Sequence, residues 1–403
     1  MAKKLTLWHR GKKIILWAHR WLGIISGLIV LIVSLTGCIY VFEQEIRDIF
    51  QNKYYYVAES TAPKMNLLQV KQIVQTQFPK EKINAIRFLE TRDAACIIIT
   101  KKDKAISLNP YTGAIIGIRN TKEDFLSVVL RLHRTLLLGE AGKLIIKWNV
   151  LIFFILCISG LVLWWPKQIK FFKRAATINF KTKNWKAFNW DLHSVLGFYG
   201  LLFLLLISLT GIFFAFDSVK NMLKAATNQP KGKKEEKLKS NPDNNKTFDL
   251  DAAYQQMKSD YPGSTETVIV MPKDSIEPLR INMQYPYTII RKQNQLFFDQ
   301  YSGEVLKKSL HKNYNTYDKI SRSNYQLHTG DMPGLGIGSK IIFFLASLFA
   351  ASLPVTGFLI WWGRNNKKKA TSKEDKKNVL AAYLQKKRLS NIIVDGVGIK
   401  YRT

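Results

Sequence analysis

Four stretches without a charged side chain constrain this chain more than any other feature in it. They lie between Arg20 and Glu43, between Lys147 and Lys167, between Asp191 and Asp217, and between Lys340 and Arg364. Each is about the 20 residues that a helix needs to cross the hydrocarbon core of a bilayer, so each is read as a transmembrane helix. The first is not expected to be a cleavable signal peptide. It is too long for an apolar signal core, it lacks a small-residue cleavage site, and its pattern recurs mid-chain.

The first and third runs are near-copies. His19-Arg20-Trp21-Leu22-Gly23 opens one and His193-Ser194-Val195-Leu196-Gly197 opens the other. Ser-Leu-Thr-Gly follows at the same distance in both, at Ser34 to Gly37 and Ser208 to Gly211. The second and fourth runs close alike, on Gly160-Leu161-Val162-Leu163-Trp164-Trp165 and Gly357-Phe358-Leu359-Ile360-Trp361-Trp362. Matches held without a gap are hard to ascribe to chance, so the chain reads as an internal duplication. The expected unit is span, outside domain, histidine, span. It occurs twice in parallel, with the halves related by an axis along the membrane normal.

A formal net charge of +32 over 403 residues first suggests a nucleic-acid binder, and the four apolar runs argue against that partner. The charge marks a side of the membrane instead. Lys3, Lys4, Arg10, Lys12, Lys13 and Arg20 precede the first span with no acid among them. Lys167, Lys170, Lys173, Arg174, Lys181, Lys183 and Lys186 fill the connection after the second, and the tail from Arg364 is basic again. The positive-inside rule places all three in the cytoplasm, with the Trp pairs as aromatic anchors at that interface. The expected protein is therefore multi-pass in the cytoplasmic (inner) membrane, N-in and C-in, with two periplasmic segments. Its tail would rest on anionic lipid. The boundaries follow from the runs. Residues 1–44 hold the N-terminus and helix 1, 45–140 the first outside domain with its histidine helix, 141–166 helix 2, and 167–190 a basic loop. Residues 191–217 hold helix 3, 218–338 a linker and the second outside domain, 339–363 helix 4, and 364–403 the tail.

Each outside segment reads as a small α+β unit. The first offers a helix from Asn66 to Phe78, then strands at Ile83–Leu89, Ala94–Thr100, Ala105–Leu108 and Ala114–Ile118, the last two joined by a turn at Tyr111-Thr112-Gly113. The second offers a helix from Asp251 to Tyr261, strands at Thr267–Met271, Leu279–Met283, Tyr287–Ile290 and Leu296–Phe298, and a matching turn at Tyr301-Ser302-Gly303. Residues 222–247 read as a charged, flexible linker. The fold class is thus an α-helical membrane bundle of four transmembrane helices, a duplicated two-helix unit, with two extracytoplasmic α+β domains.

Four of the six histidines fall at equivalent points of the repeat: His19 with His193 beside spans one and three, and His133 with His328 just ahead of spans two and four. A pseudo-twofold axis would bring each pair face to face. Two facing neutral imidazoles are what a six-coordinate haem iron takes as axial ligands. Gly23, Gly27, Ser34, Gly37, Gly197, Gly200, Ser208 and Gly211 leave room between helices, for a porphyrin or simply for close helix packing. A lone interfacial histidine more often caps a helix or meets a headgroup; the duplication of all four is what favours ligation. His9 and His311 have no counterpart in the other half and are expected at the surface. Cys38, Cys96 and Cys157 form no Cys-x-x-Cys pair and suggest neither a disulfide framework nor a zinc site. Gly334-x-Gly-x-Gly338 is not preceded by a strand, as a nucleotide loop requires.

The chain resembles the family of PepSY-associated transmembrane proteins. The resemblance is carried by His19-x-x-x-Gly23 with Ser-Leu-Thr-Gly, by Leu132-His133-Arg134-x-Leu-Leu-Leu-Gly139, by Gly160-Leu-Val-Leu-Trp-Trp-Pro166, and by the PepSY-type turns Asn109-Pro110-Tyr111-Thr112-Gly113 and Tyr301-Ser302-Gly303. It covers nearly the whole chain except the tail. The stretch around His328 departs from the pattern, with Thr329-Gly330-Asp331-Met332-Pro333. The resemblance implies PepSY-like outside domains and, as in haem-containing ferric-siderophore reductases of the inner membrane, two haem b groups on His19, His193, His133 and His328. It further implies reduction of a ferric siderophore or other Fe(III) chelate. No flavin or nicotinamide fingerprint occurs, so the electron donor would be a protein or a quinol. The alternative expectation is a non-enzymatic PepSY membrane protein that binds a peptidase or peptide partner. A permease is weaker, because no acidic pair lies within the spans.

Overall fold

The computed structural model describes residues 2–228, 238–242 and 248–364. The tail beyond Arg364 and most of the expected linker 222–247 lie outside the described residues. In chain order the elements are α1 (Ala2–Tyr40), α2 (Glu43–Phe50), α3 (Asn52–Tyr55), α4 (Leu67–Gln77), β1 (Ile83–Leu89), β2 (Cys96–Thr100), β3 (Lys104–Leu108), β4 (Ile115–Asn120), α5 (Phe125–Thr135), α6 (Gly139–Trp164), α7 (Phe172–Ala175), α8 (Trp185–Ala215), α9 (Asp217–Ala226), α10 (Leu250–Asp260), β5 (Glu266–Val270), β6 (Leu279–Gln284), β7 (Gln293–Phe298), β8 (Val305–Ser309) and α11 (Thr316–Thr329). A last helical stretch runs through Pro333–Arg364.

Among the described residues, four segments are long and apolar enough to cross a membrane: Arg10–Tyr40, Gly139–Trp164, Trp185–Ala215 and Pro333–Arg364. Their large apolar side chains stay exposed, Ile25 at 70% and Leu202 at 73%. In water such exposure forgoes about 25 cal/mol per Å² of apolar surface; against lipid tails it forgoes nothing. The chain is a membrane protein. The third segment starts ahead of its charge-free run because the Asn184 side chain accepts from the backbone N–H groups of Lys186 and Ala187, an N-cap. Helix α9 reaches into the range read as linker. Asp217 in its first turn pairs with Lys220 at 2.8 Å, which suits a helix N-terminus.

Contacts divide the chain into two units. One is built from residues 2–28, 158–199 and 352–364, the other from residues within 29–157 and 200–351. The first unit is helical and holds His19 and His193. The second holds His133, His328 and all the strands.

In place of two separate small sheets, the strands form one eight-stranded antiparallel sheet in the order β4-β3-β2-β1-β5-β6-β7-β8. The join is β1 against β5, with Arg87 opposite Val268 and Ile86 opposite Ile269. Two separate four-stranded meanders would leave four unpaired edges, and pairing β1 with β5 removes two of them, leaving β4 and β8 at the rims. Helices α4 and α10 cover one face over a core of Val70, Val74, Ile86, Ile98, Ile269, Ile281 and Met283. They are also tied end to end: the Asp251 carboxylate of α10 accepts from the Leu67 and Leu68 N–H groups of α4 at 2.6 and 2.9 Å. The two tight turns share one chemistry. Asn109 Oδ1 accepts from Tyr111 N and Thr112 N, Asp299 Oδ1 accepts from Tyr301 N and Ser302 N, and Gly113 and Gly303 take φ of +73° and +72°.

One expected strand is absent. Residues Tyr287–Ile290 form no ladder; β7 begins later, at Gln293, and the last strand is β8, beyond the Tyr301 turn. Pro286 supplies the reason, since it has no N–H to extend β6 and ends it.

Candidate functional site

Four histidines sit in sockets of one kind, each made by a hydroxyl residue and the glycine that follows it on a membrane-spanning helix. In the first unit, His19 Nδ1 lies 2.8 Å from Ser159 Oγ, and a Cβ on Gly160 would come within 3.4 Å of His19 Cε1. His193 Nδ1 lies 2.8 Å from Thr356 Oγ1, and a Cβ on Gly357 would come within 3.2 Å of His193 Cε1. In the second unit, His133 Nδ1 lies 3.1 Å from Thr36 Oγ1, with Gly37 against its Cε1. His328 Nδ1 lies 2.9 Å from Thr210 Oγ1, with Gly211 against its Cε1. Serine and threonine tolerate this place because their hydroxyls bond back to the preceding turn of the helix. At Gly357 a Cβ would press on the imidazole and at Gly211 on Val150 Cγ2, at 2.9 Å, whereas at Gly37 and Gly160 it would reach van der Waals contact with the ring.

The sockets set the tautomer. His133 Nδ1 is 3.0 Å from the Val33 carbonyl and His328 Nδ1 is 3.1 Å from the Ile207 carbonyl; the Leu353 carbonyl does the same for His193. A carbonyl only accepts, so Nδ1 carries the proton in all three. The threonine hydroxyls agree. Thr36, Thr210 and Thr356 donate to the carbonyls of Ile32, Leu206 and Ser352, which leaves their oxygens free to accept from Nδ1–H. Nε2 is then the unprotonated nitrogen, with its lone pair available to a metal. Burial pushes His133 and His328 below the ordinary imidazole range, His328 down to about 4, with the neighbouring His133 as the second cause. Both are neutral at pH 7.

The ring centres of His133 and His328 are 6.3 Å apart with their planes at 76°. Two imidazoles on opposite sides of one metal, with bonds of about 2 Å and ring centres about 1 Å behind each nitrogen, need centres about 6 Å apart. His19 and His193 are close enough to interact electrostatically. Among the described residues no group of three or more His, Cys, Asp or Glu side chains could hold a metal ion. A metal held by these histidines would need its remaining ligands from another source, and a porphyrin supplies four. The residues present fit a haem with two axial imidazoles.

Several of these parts escaped the sequence reading. Ser-Leu-Thr-Gly does more than leave room between helices: its threonine and glycine are the socket for a histidine from another element. Gly27, by contrast, packs on Pro354, and Gly200 on Leu204 and Phe349. Asn189 and Asn324 add a contact that the repeat does not announce. Each lies one helical turn before a histidine, and each donates to the carbonyl of the threonine that holds that histidine: Asn189 Nδ2 to Thr356 O at 3.0 Å, Asn324 Nδ2 to Thr210 O at 3.2 Å. The equivalent positions in the first half are Ile15 and Val129, so the clamp belongs to the second half alone. The signal was available as Asn-x-x-x-His at 189–193 and 324–328. Lys340, only 7% exposed, was also missed; it bonds Glu45 at 2.8 Å and Asp331 at 3.2 Å and so ties down the loop after His328. His311 is not a free surface residue. It is half-buried, its Nδ1 lies 2.8 Å from Asn294 Oδ1, and its ring packs on Tyr285. The His9 side chain, expected at the surface, lies outside the described side chains.

The Asn324 clamp gives a direct expectation. Asn324→Ala leaves the Thr210 carbonyl without that donor in a buried place, a loss of about 1–3 kcal/mol. The thermal midpoint of the purified protein in detergent should fall by several degrees. An unchanged midpoint would show that the contact contributes nothing.

No curated protein matches the chain. The sequence profile described as "PepSY-associated TM region" matches residues 16–364, which takes in every socket described above. The chain belongs to that family of membrane proteins.

Proposed function

We propose that this protein is a haem-carrying oxidoreductase of the cytoplasmic (inner) membrane that passes electrons to a ferric siderophore or similar Fe(III) chelate and releases the iron as Fe(II). Two haem b groups are held, one by His133 and His328 and one by His19 and His193. The observation that carries the reading is the pair of imidazoles 6.3 Å apart, both bonded through Nδ1 to carbonyl and threonine oxygens. Haem supplies a one-electron couple, and the protein supplies its ligands and surroundings. The side chains have definite parts in this. Thr36, Thr210, Ser159 and Thr356 hold the Nδ1 side of each ring and keep Nε2 free. Gly37, Gly211, Gly160 and Gly357 let the rings lie against the helices.

The orientation we propose is N-in and C-in, with the sheet in the periplasm and the basic segments on the anionic cytoplasmic leaflet. The matching sockets are accounted for by duplication of a span–domain–histidine–span unit. Electrons come from a quinol or a donor protein. Each Fe(III) takes one electron, and the product leaves because Fe(II) suits hard oxygen ligands less well.

The test is spectroscopic and kinetic. Protein purified from haem-replete cells should show a Soret band that shifts on adding dithionite. The reduced protein should be reoxidised anaerobically by a ferric hydroxamate or ferric citrate, with Fe(II) trapped by ferrozine. A colourless preparation, or reduced haem that no chelate reoxidises, overturns the proposal. Crosslinking of a peptide or peptidase near Tyr111 or Tyr301 by such a colourless protein would favour the binding role.

A further inference from the structure

Helix α2 has the reverse of the pattern that water selects. None of its residues is buried. Ile46, Ile49 and Phe50 recur at the spacing that puts them on one face, and Ile49 and Phe50 are 72% and 76% exposed. Its charged side chains all have partners. Glu43 pairs with Arg47 at 2.9 Å, and Arg47 reaches Asp124, the residue before α5, at 3.0 Å. Glu45 pairs with Lys340 at 2.8 Å, and Asp48 accepts from the Tyr56 hydroxyl at 3.3 Å. A helix on a water-facing surface does the opposite, turning its apolar stripe to the core and its charges to solvent.

The sequence places α2 at a definite depth. The first charge-free run ends at Glu43, the first residue of α2, so the helix begins where the hydrocarbon core gives way to headgroups. Helix α9 stands in the same relation to the third run, which ends at Asp217. It repeats the pattern. Val219, Met222 and Leu223 share a face, and Met222 is 66% exposed. Lys220 is held by Asp217, and Lys224 lies over the Tyr317 ring, 5.2 Å from the centroid. Leu137 and Leu138, directly ahead of the second span, and Leu335 and Ile337, at the start of the fourth, are exposed as well. All of these residues belong to the unit that holds the sheet. Each of the four spans therefore carries exposed apolar side chains at its end in this unit, continuous with the surface it turns to lipid.

We propose that α2 and α9 lie in the interfacial layer of the bilayer as membrane-surface helices, with Ile46, Ile49, Phe50 and Met222 among the upper carbons of the phospholipid acyl chains. The occupant of these faces is lipid. A chain that spans a membrane is all this requires, and it does not rest on haem. Through Arg47 and Asp124, and through Glu45, Lys340 and Asp331, α2 joins the bilayer surface to the helix of His133 and to the loop after His328.

The test is spin-label accessibility on the full chain in nanodiscs of phosphatidylethanolamine and phosphatidylglycerol. Phe50→Cys and Met222→Cys each take one label, since Cys38, Cys96 and Cys157 are buried. Leu202→Cys, exposed on a span, is the lipid reference, and Lys102→Cys, exposed between β2 and β3, is the water reference. The ratio of relaxation by oxygen to relaxation by a water-soluble nickel chelate should be several-fold higher for Phe50→Cys and Met222→Cys than for Lys102→Cys, and should approach that of Leu202→Cys. Ratios equal to that of Lys102→Cys overturn the proposal. So do labels shielded from both reagents, which would put a protein partner or a second copy of the chain on these faces. Should Phe50→Cys fail to fold, Ile49→Cys reads the same face.

Discussion

Alanine at His328 should empty one haem site and leave the other filled. On the proposed function the haem-to-protein ratio should fall from about two to about one, the same for His133→Ala, because both rings would hold the same haem. His19→Ala and His193→Ala should remove the other haem. The effect should be large. Residues that merely orient a metal-binding histidine are worth about 10–100-fold in metal affinity, so loss of the ligand itself should exceed about 100-fold. Thr210→Val keeps the ring and removes the hydroxyl 2.9 Å from its Nδ1. It should fall in the 10–100-fold range, with an altered low-spin spectrum but retained protein. Pyridine haemochrome assays on the five variants measure this directly. Equal haem content in all of them would remove the assignment of these histidines.

Gly142→Ala should be as damaging, although Gly142 binds nothing. A Cβ there would run into the backbone carbonyl oxygen of Thr135 and approach Leu138 Cβ at 3.1 Å. Thr135 is the last residue of α5, two positions after His133, and Gly142 lies in the first turn of α6. The chain reverses between them through positive φ at Leu136, Leu137 and Gly139. For leucine that conformation costs about 1–2 kcal/mol per residue, so the reversal is already strained and has little room to adapt. The methyl group must push α5 away from α6 and carry His133 off its 6.3 Å spacing. Haem bound by His133 and His328 should be lost, with that on His19 and His193 retained. Gly338→Ala is the matched control, since a Cβ there meets nothing within 4 Å. Should Gly142→Ala keep full haem content and thermal stability, the close approach of α5 and α6 does not govern the site.

The sheet arrangement bears on both expectations. Helix α11 ends at the His328 socket and is bonded to β7 through Arg322, while α5 starts at Asp124, whose carboxylate accepts from Arg47 of α2 at 3.0 Å. Each histidine of this pair is therefore held at two places, by its socket on a spanning helix and by the anchoring of its own helix.

What the sequence determined by itself is local. The absence of charge over about 20 residues is enough to make a spanning helix, because the cost of a buried charge does not depend on the neighbour. Strand β1 occupies the expected residues Ile83–Leu89, and the paired turns follow from Asn109, Asp299 and two glycines, because alternation and turn chemistry are decided within a few residues. The tertiary structure decided what depends on residues far apart. Whether two meanders stay separate or join through β1 and β5 is a choice between edges, and either choice leaves the alternation within each strand unchanged. Ser-Leu-Thr-Gly looks the same whether its glycine meets a helix or an imidazole. That Thr36 takes His133 and Thr210 takes His328 emerges only when the helices pack, since the alternatives have the same local energy and differ only in which buried polar groups find partners.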